Sequence, residues 1–164
     1  MISKKSAQAI NAQINREFFS AFLYLAMAKD AMSKGFKGAA NWLSVQFKEE
    51  QEHALRFAKY LEDQGIKVVL SAMEAPKTEW ADVLDMFKDA LAHEKKVTAW
   101  INEIAELAAA EKDFATQNML TWFINEQVEE ESNATDVIWM LEMSAGSKGA
   151  LFMADKQLGK RGRS

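Results

Sequence analysis

Glu50 and His53 stand three residues apart in Lys48-Glu49-Glu50-Gln51-Glu52-His53-Ala54, a charged stretch set between apolar neighbours. On a helix that spacing puts both side chains on one face, about one turn apart. The rhythm of the face runs Leu43, Phe47, Glu50, Ala54, Phe57, Leu61, so Glu50 occupies a place where the pattern asks for a hydrophobe. A carboxylate there needs a compensating charge, and a metal ion supplies one better than a lone lysine. Three other segments repeat the anomaly. Glu17 falls within Ala7, Ile10, Ile14, Ala21, Tyr24, Ala28; Glu94 within Phe87, Leu91, Thr98, Ile101; Gln127 and Glu130 within Leu120, Phe123, Ala134, Val137. Each lies near the middle of its segment, so folding brings them to similar depth. Carboxylates converging in a core repel one another severely at low dielectric unless cations accompany them. Oxygen-rich ligation with one imidazole suits iron or manganese, whereas an all-oxygen site suits magnesium or calcium. His93 sits one residue off its stripe and reads as a surface or packing residue. Within the acidic run Glu126–Glu131, a solvated charged face accounts for Glu131 and reaches Glu129, but does not cover Glu130.

The elements that must carry these residues follow from periodicity and punctuation. The spacing predicts helices over about 4–33, 38–64, 79–110, 114–143 and 147–158, with an irregular connection over about 66–78. Gly35 and Gly38 separate the first two helices by a short turn, which makes them antiparallel. Val68-Val69-Leu70 has strand character, but the rest of the chain supplies no strand to pair with it. Thirteen extended residues reach about 45 Å, just enough to run the length of a helix of about 40 Å. The connection therefore reads as a crossover that makes helices two and three parallel. Pro76 and Thr78 are expected to introduce the third helix, with Glu79 and Asp82 in its first turn. Asp113 is the expected N-cap of the fourth. The short fifth helix has one apolar edge, Leu151, Ala154 and Leu158, suited to packing against the bundle or other subunits. The fold class is all-α, a single four-helix domain with a long crossover and a short C-terminal helix.

Composition narrows the function. The 164 residues carry one proline, seven glycines and no cysteine, which excludes disulfides, thiolate zinc and iron–sulfur clusters. The net charge of −4 argues against general nucleic-acid binding. No apolar run approaches membrane-spanning length and no signal sequence is evident, so a cytoplasmic protein with no membrane partner is expected.

Taken together, Glu17 through Tyr24, Glu49-Glu50-x-x-His53, Glu94 and Glu126-Gln127-x-Glu129-Glu130 resemble the ferritins, specifically the non-haem prokaryotic type. The likeness extends over essentially the whole chain, crossover and fifth helix included. A Glu from each of two helices plus Glu-x-x-His from the others is the general di-iron pattern of such bundles. The second pair here departs from it, being Gln127-x-x-Glu130. What the resemblance implies is a di-iron centre, with Glu17, Glu50 and His53 on the first iron. Glu50 as bridge, Glu94 and Glu130 would hold the second, with Gln127 beside it. Glu49, Glu126 and Glu129 match the family's third iron site, with Glu130 shared, and Tyr24 matches its tyrosine beside the centre. Bacterioferritins carry a second Glu-x-x-His and a haem-ligating methionine where this chain has Gln127-x-x-Glu130 and Gln51, so no haem is expected. Rubrerythrins require cysteines. The small DNA-protecting shells place iron between subunits and lack the fifth helix.

The activity implied is that of a ferroxidase: Fe(II) oxidised by dioxygen or hydrogen peroxide and stored as ferric mineral inside a homo-oligomeric shell of twenty-four subunits. Two alternatives use the same ligands. A discrete di-iron peroxidase or oxidase needs a substrate pocket, which Phe47, Phe57, Phe87 and Phe123 leave little room for. A divalent-metal buffer needs no redox turnover. Neither accounts for Glu49, Glu126 and Glu129 as well as iron transit does.

Overall fold

The computed structural model describes residues 2–162, which form five helices and, among the described residues, no strand. Helix α1 spans Lys4–Ser33, α2 Lys37–Asp63, α3 Val83–Ala110, α4 Phe114–Met143 and α5 Lys148–Leu158. α1 packs along α2 and α3 along α4, each pair joined by a short turn and antiparallel. The connection between α2 and α3 runs the length of the bundle, so those two helices are parallel.

Most helix starts are capped by their own chain. Ser3, Asp82, Asp113 and Ser147 each accept a hydrogen bond from the backbone N–H three residues on. α2 is the exception, because Phe36 at its N-cap has no side chain that can accept. Asp155 of α5 takes over, accepting from Gly38 N at 2.9 Å and Ala39 N at 2.8 Å. That approach requires glycine: a Cβ on Gly38 would lie 1.6 Å from the Asp155 carbonyl oxygen. The fifth helix is thereby fastened to the start of the second.

The third helix begins at Val83, not at 79. Trp80 turns inward, 4% exposed, with its backbone N–H on Asp30 and its indole N–H on Asp89 at 2.8 Å. These bonds hold residues 79–81 out of helical geometry, and Asp82 becomes the N-cap through Asp85 N at 2.8 Å. The crossover thus extends to Asp82. Its extended Val69 finds a partner in a side chain rather than in a strand. Asn11 donates to Val69 O at 2.9 Å and accepts from Val69 N at 2.8 Å, while Asn15 accepts from Ser71 N at 2.8 Å.

Two hydrophobic clusters fill the bundle. One gathers Tyr24, Met27, Leu43, Met86, Phe87 and Leu141 at the end nearer α5; the other gathers Ile10, Ile14, Phe57, Leu61, Ile101, Leu120 and Phe123 at the opposite end. Between them lies a layer of buried polar side chains.

Candidate metal centre

That middle layer contains Glu17, Glu50 and Glu94 at 1% exposure, Gln127 and Glu130 at 4%, and His53 at 5%. All four long helices contribute. Helical periodicity puts them there, since each glutamate and Gln127 replaces a hydrophobe in its stripe and so points inward, and His53 shares the face of Glu50 one turn on. Among the described residues, ligand atoms of Glu17, Glu50 and His53 come within 4.8 Å of one another, and so do those of His53, Glu126 and Glu130. His53 belongs to both groups. An apolar wall aims its ring, edge-on against Trp122 with centroids 5.4 Å apart and against Phe123 at 6.1 Å.

Glu94 belongs to neither group of three. Its carboxylate accepts from the Tyr24 hydroxyl and from Gln127 Nε2, the latter at 3.2 Å. Tyr24 is itself 1% exposed. Gln127 also reaches Thr98 Oγ1 at 3.2 Å. Of the outer acids, Glu126 is half-buried, Glu129 is exposed, and Glu49 is ion-paired with Arg161. Glu131 is not simply solvated, because it is half-buried and accepts from Thr98 Oγ1 at 2.6 Å. His93 lies inside the buried face of α3, not beside it. Its Nε2 is 2.7 Å from Ser20 Oγ, and burial lowers its pKa, so it links α1 to α3 as a neutral ring.

The electrostatics are those of a site short of cations. Burial, then the charge of Glu50, pushes Glu17 up to about 8. Burial, then Glu50 and Glu130, pushes Glu94 well above the carboxylate range. Burial, then Glu50, brings Glu130 to about 7. Glu50 goes the other way: burial opposes its ionisation, but the contact and charge of His53 and the hydrogen bond from Gln46 outweigh that and lower its pKa. Burial would lower His53 too, yet the contact with Glu50 and the charges of Glu50 and Glu17 raise it to about 9. With His53 Nδ1 and Glu50 Oε2 3.7 Å apart, the layer holds one imidazolium–carboxylate pair, and the raised pKa values of its other buried acids favour their protonated forms.

Two glutamines missing from the ligand pattern organise the layer. Gln13 donates to Glu17 at 2.6 Å, and Gln46 donates to both Glu50 and Glu130 at 2.9 Å. Both are fully buried. The signal was in the spacing: each glutamine stands four residues before a stripe glutamate, one turn away on the same face. Glu17 Oε2 and Gln46 Oε1 remain buried without a hydrogen-bond partner. An orphaned carboxylate oxygen beside a second carboxylate and an imidazole fits a hard divalent cation of the iron or manganese kind.

Comparison with known proteins gives one consistent result. Residues 7–144 match the Ferritin family model, described as a ferritin-like domain. The chain is 38% identical to the bacterial non-heme ferritin of Staphylococcus aureus (strain USA300) over 161 residues, 98% of this chain and 97% of the relative. The bacterial non-heme ferritin of Staphylococcus epidermidis is also 38% identical, with the same coverage. Among solved structures, a novel open pore ferritin from the hyperthermophilic archaeon Archaeoglobus fulgidus superposes with a TM-score of 0.97 at 44% identity, covering 98% of this chain and 99% of that one.

Proposed function

This chain belongs to the ferritin family, whose general activity is iron storage with ferroxidation, and from that premise we propose that it oxidises Fe(II) at a paired-iron site inside each subunit. The observation that carries the reading is the buried Glu17–Glu50–His53 group, in which Glu17 keeps an unpartnered oxygen. Glu17, Glu50 and His53 receive one Fe(II); Glu50, Glu94 and Glu130 receive the second, with Gln127 holding the Glu94 carboxylate by hydrogen bond. Binding drives protons from Glu17, Glu94, Glu130 and His53, because the ions supply the positive charge those protons supplied before. Two Fe(II) then give up one electron each, reducing dioxygen to peroxide, or hydrogen peroxide to water with two protons. Carboxylate oxygens favour the harder Fe(III) and so assist electron loss. Tyr24, donating to Glu94, steadies the second position.

Glu49, Glu126 and Glu129, with Glu130 shared, take a third iron on the way out. The grouping of His53, Glu126 and Glu130 supports continuity between inner and outer positions. Storage requires an enclosed space, and we assign the chain to a homo-oligomeric shell of twenty-four subunits in the cytoplasm. Trp139 and Met143 on α4 and Phe152 and Met153 on α5 are exposed, an apolar area suited to contact between copies. No helix among the described residues is long and apolar enough to cross a membrane.

The test is particle mass by light scattering before and after aerobic Fe(II), on wild type, Glu50→Ala and Glu50→Gln. A particle of about half a megadalton that oxidises and retains iron, with oxidation lost in both variants, is the expected result. A small oligomer that oxidises iron but retains none would leave a discrete di-iron oxidase instead. Retention without oxygen consumption would leave a metal buffer.

A further inference from the structure

Arg161 lies beyond the last helix, yet its guanidinium is built into the wall of the outer carboxylates. The route is fixed step by step. Asp155 clamps α5 onto the first turn of α2, and a Cβ on Gly159 would sit 3.4 Å from Gly38 Cα, so the chain leaves α5 in contact with α2. It then runs back along that helix. Asn41 Nδ2 donates to the Arg161 carbonyl at 3.0 Å, and Gly162 adopts φ +71° against Val45. The guanidinium stacks 3.9 Å over the Trp42 ring and ion-pairs with Glu49. Its Nη1 is buried with no partner, a donor left unspent.

A fixed monovalent cation thus stands on Glu49, one of the outer carboxylates. We propose that Arg161 is the resident counter-ion of Glu49 and a gate on metal passage through the outer carboxylates, since an ion that binds Glu49 Oε2 must displace the guanidinium from it. This rests on the reading that Glu49, Glu126 and Glu129 form a third iron position. The arginine supplies positive charge while the position is empty, and competes by charge and by occupancy when metal arrives. Because it is tethered through Trp42 and Asn41, it returns when the ion moves on. Passage is then an exchange of cations on Glu49.

Anaerobic titration calorimetry with Co(II) alone on the full-length protein separates the possibilities, using wild type, Arg161→Gln, Arg161→Lys and Glu126→Gln. The expected result is three ions per chain in wild type, the weakest bound about fivefold more tightly in Arg161→Gln. Arg161→Lys keeps the charge but not the stack on Trp42 and falls between wild type and Arg161→Gln, and Glu126→Gln loses the weakest ion. If Glu126→Gln loses that ion but Arg161→Gln binds as wild type does, the arginine is a structural tether and the gate is wrong while the third position stands. If Glu126→Gln retains every ion of the wild type, the third position falls and takes the gate with it. Thermal melts report any loss of the Trp42 stack, which lowers the melting temperature without tightening metal.

Discussion

Gln46 Nε2 lies 2.9 Å from Glu130 Oε2 and equally far from Glu50 Oε1, so one amide ties α2 to α4 across the middle of the bundle. Replacing it with leucine removes the donor from both carboxylates. Affinity for a divalent ion should fall about tenfold, as for other groups that orient metal ligands. Calorimetry with Co(II) on Gln46→Leu checks this, and unchanged affinity would show that the carboxylates need no such support.

The metal-free protein should lose stability as pH rises. Glu17 titrates near 8 and Glu130 near 7 in the folded chain, against an ordinary value of 4.5. The folded state therefore holds more protons than the unfolded one between those limits, and stability falls with rising pH. His53, raised to about 9 from 6.5, acts in the same direction: its contribution is complete below 6.5 and gone above 9. Glu50 is lowered and acts oppositely, but only in acid, below 4.5. Melting temperature should drop by about 5 °C or more from pH 5 to pH 9, and bound Co(II) should flatten the slope. A flat profile without metal would mean the acids are not buried as described.

Tyr24→Phe deletes the hydroxyl that Glu94 accepts from, leaving a buried carboxyl with the single Gln127 bond. The expected cost is about 1–2 kcal/mol in the metal-free protein. Stopped-flow oxidation of Fe(II) should also slow several-fold. Equal loss of stability with full oxidation rate would make Tyr24 a packing residue.

Asp155→Ala uncaps a helix that has no cap of its own. Both Gly38 N and Ala39 N lose their acceptor, at about 1–2 kcal/mol. Circular dichroism melts should show it. Asp155→Asn keeps one of the two acceptor oxygens and should recover only part of the loss.

The glutamates were legible because each breaks an apolar stripe, and polarity in the wrong place is visible in one dimension. Gln13 and Gln46 are less legible, since a buried glutamine breaks the pattern less than a charge does and its meaning lies in the glutamate it bonds. His93 turned on how wide the buried face of α3 is, a width set by packing against α1. The start of α3 is not legible in the sequence, because Trp80 is held by Asp30 and Asp89 through bonds that local propensity does not contain. Arg161 is 112 residues from Glu49, and only the path of α5 brings them together.

The two hydrophobic clusters, separated by the glutamate layer, make the subunit a body with a soft waist. Each end has its own close-packed apolar interior, whereas the waist holds acids whose raised pKa values favour protons, together with a single ion pair. Metal loading at the proposed paired site would replace those with bonds spanning four helices, a rivet through the middle. Amide hydrogens flanking residues 50, 94 and 130 should thus slow in exchange on loading more than those at either end, so that the cargo stiffens the container wall from which it is dispensed.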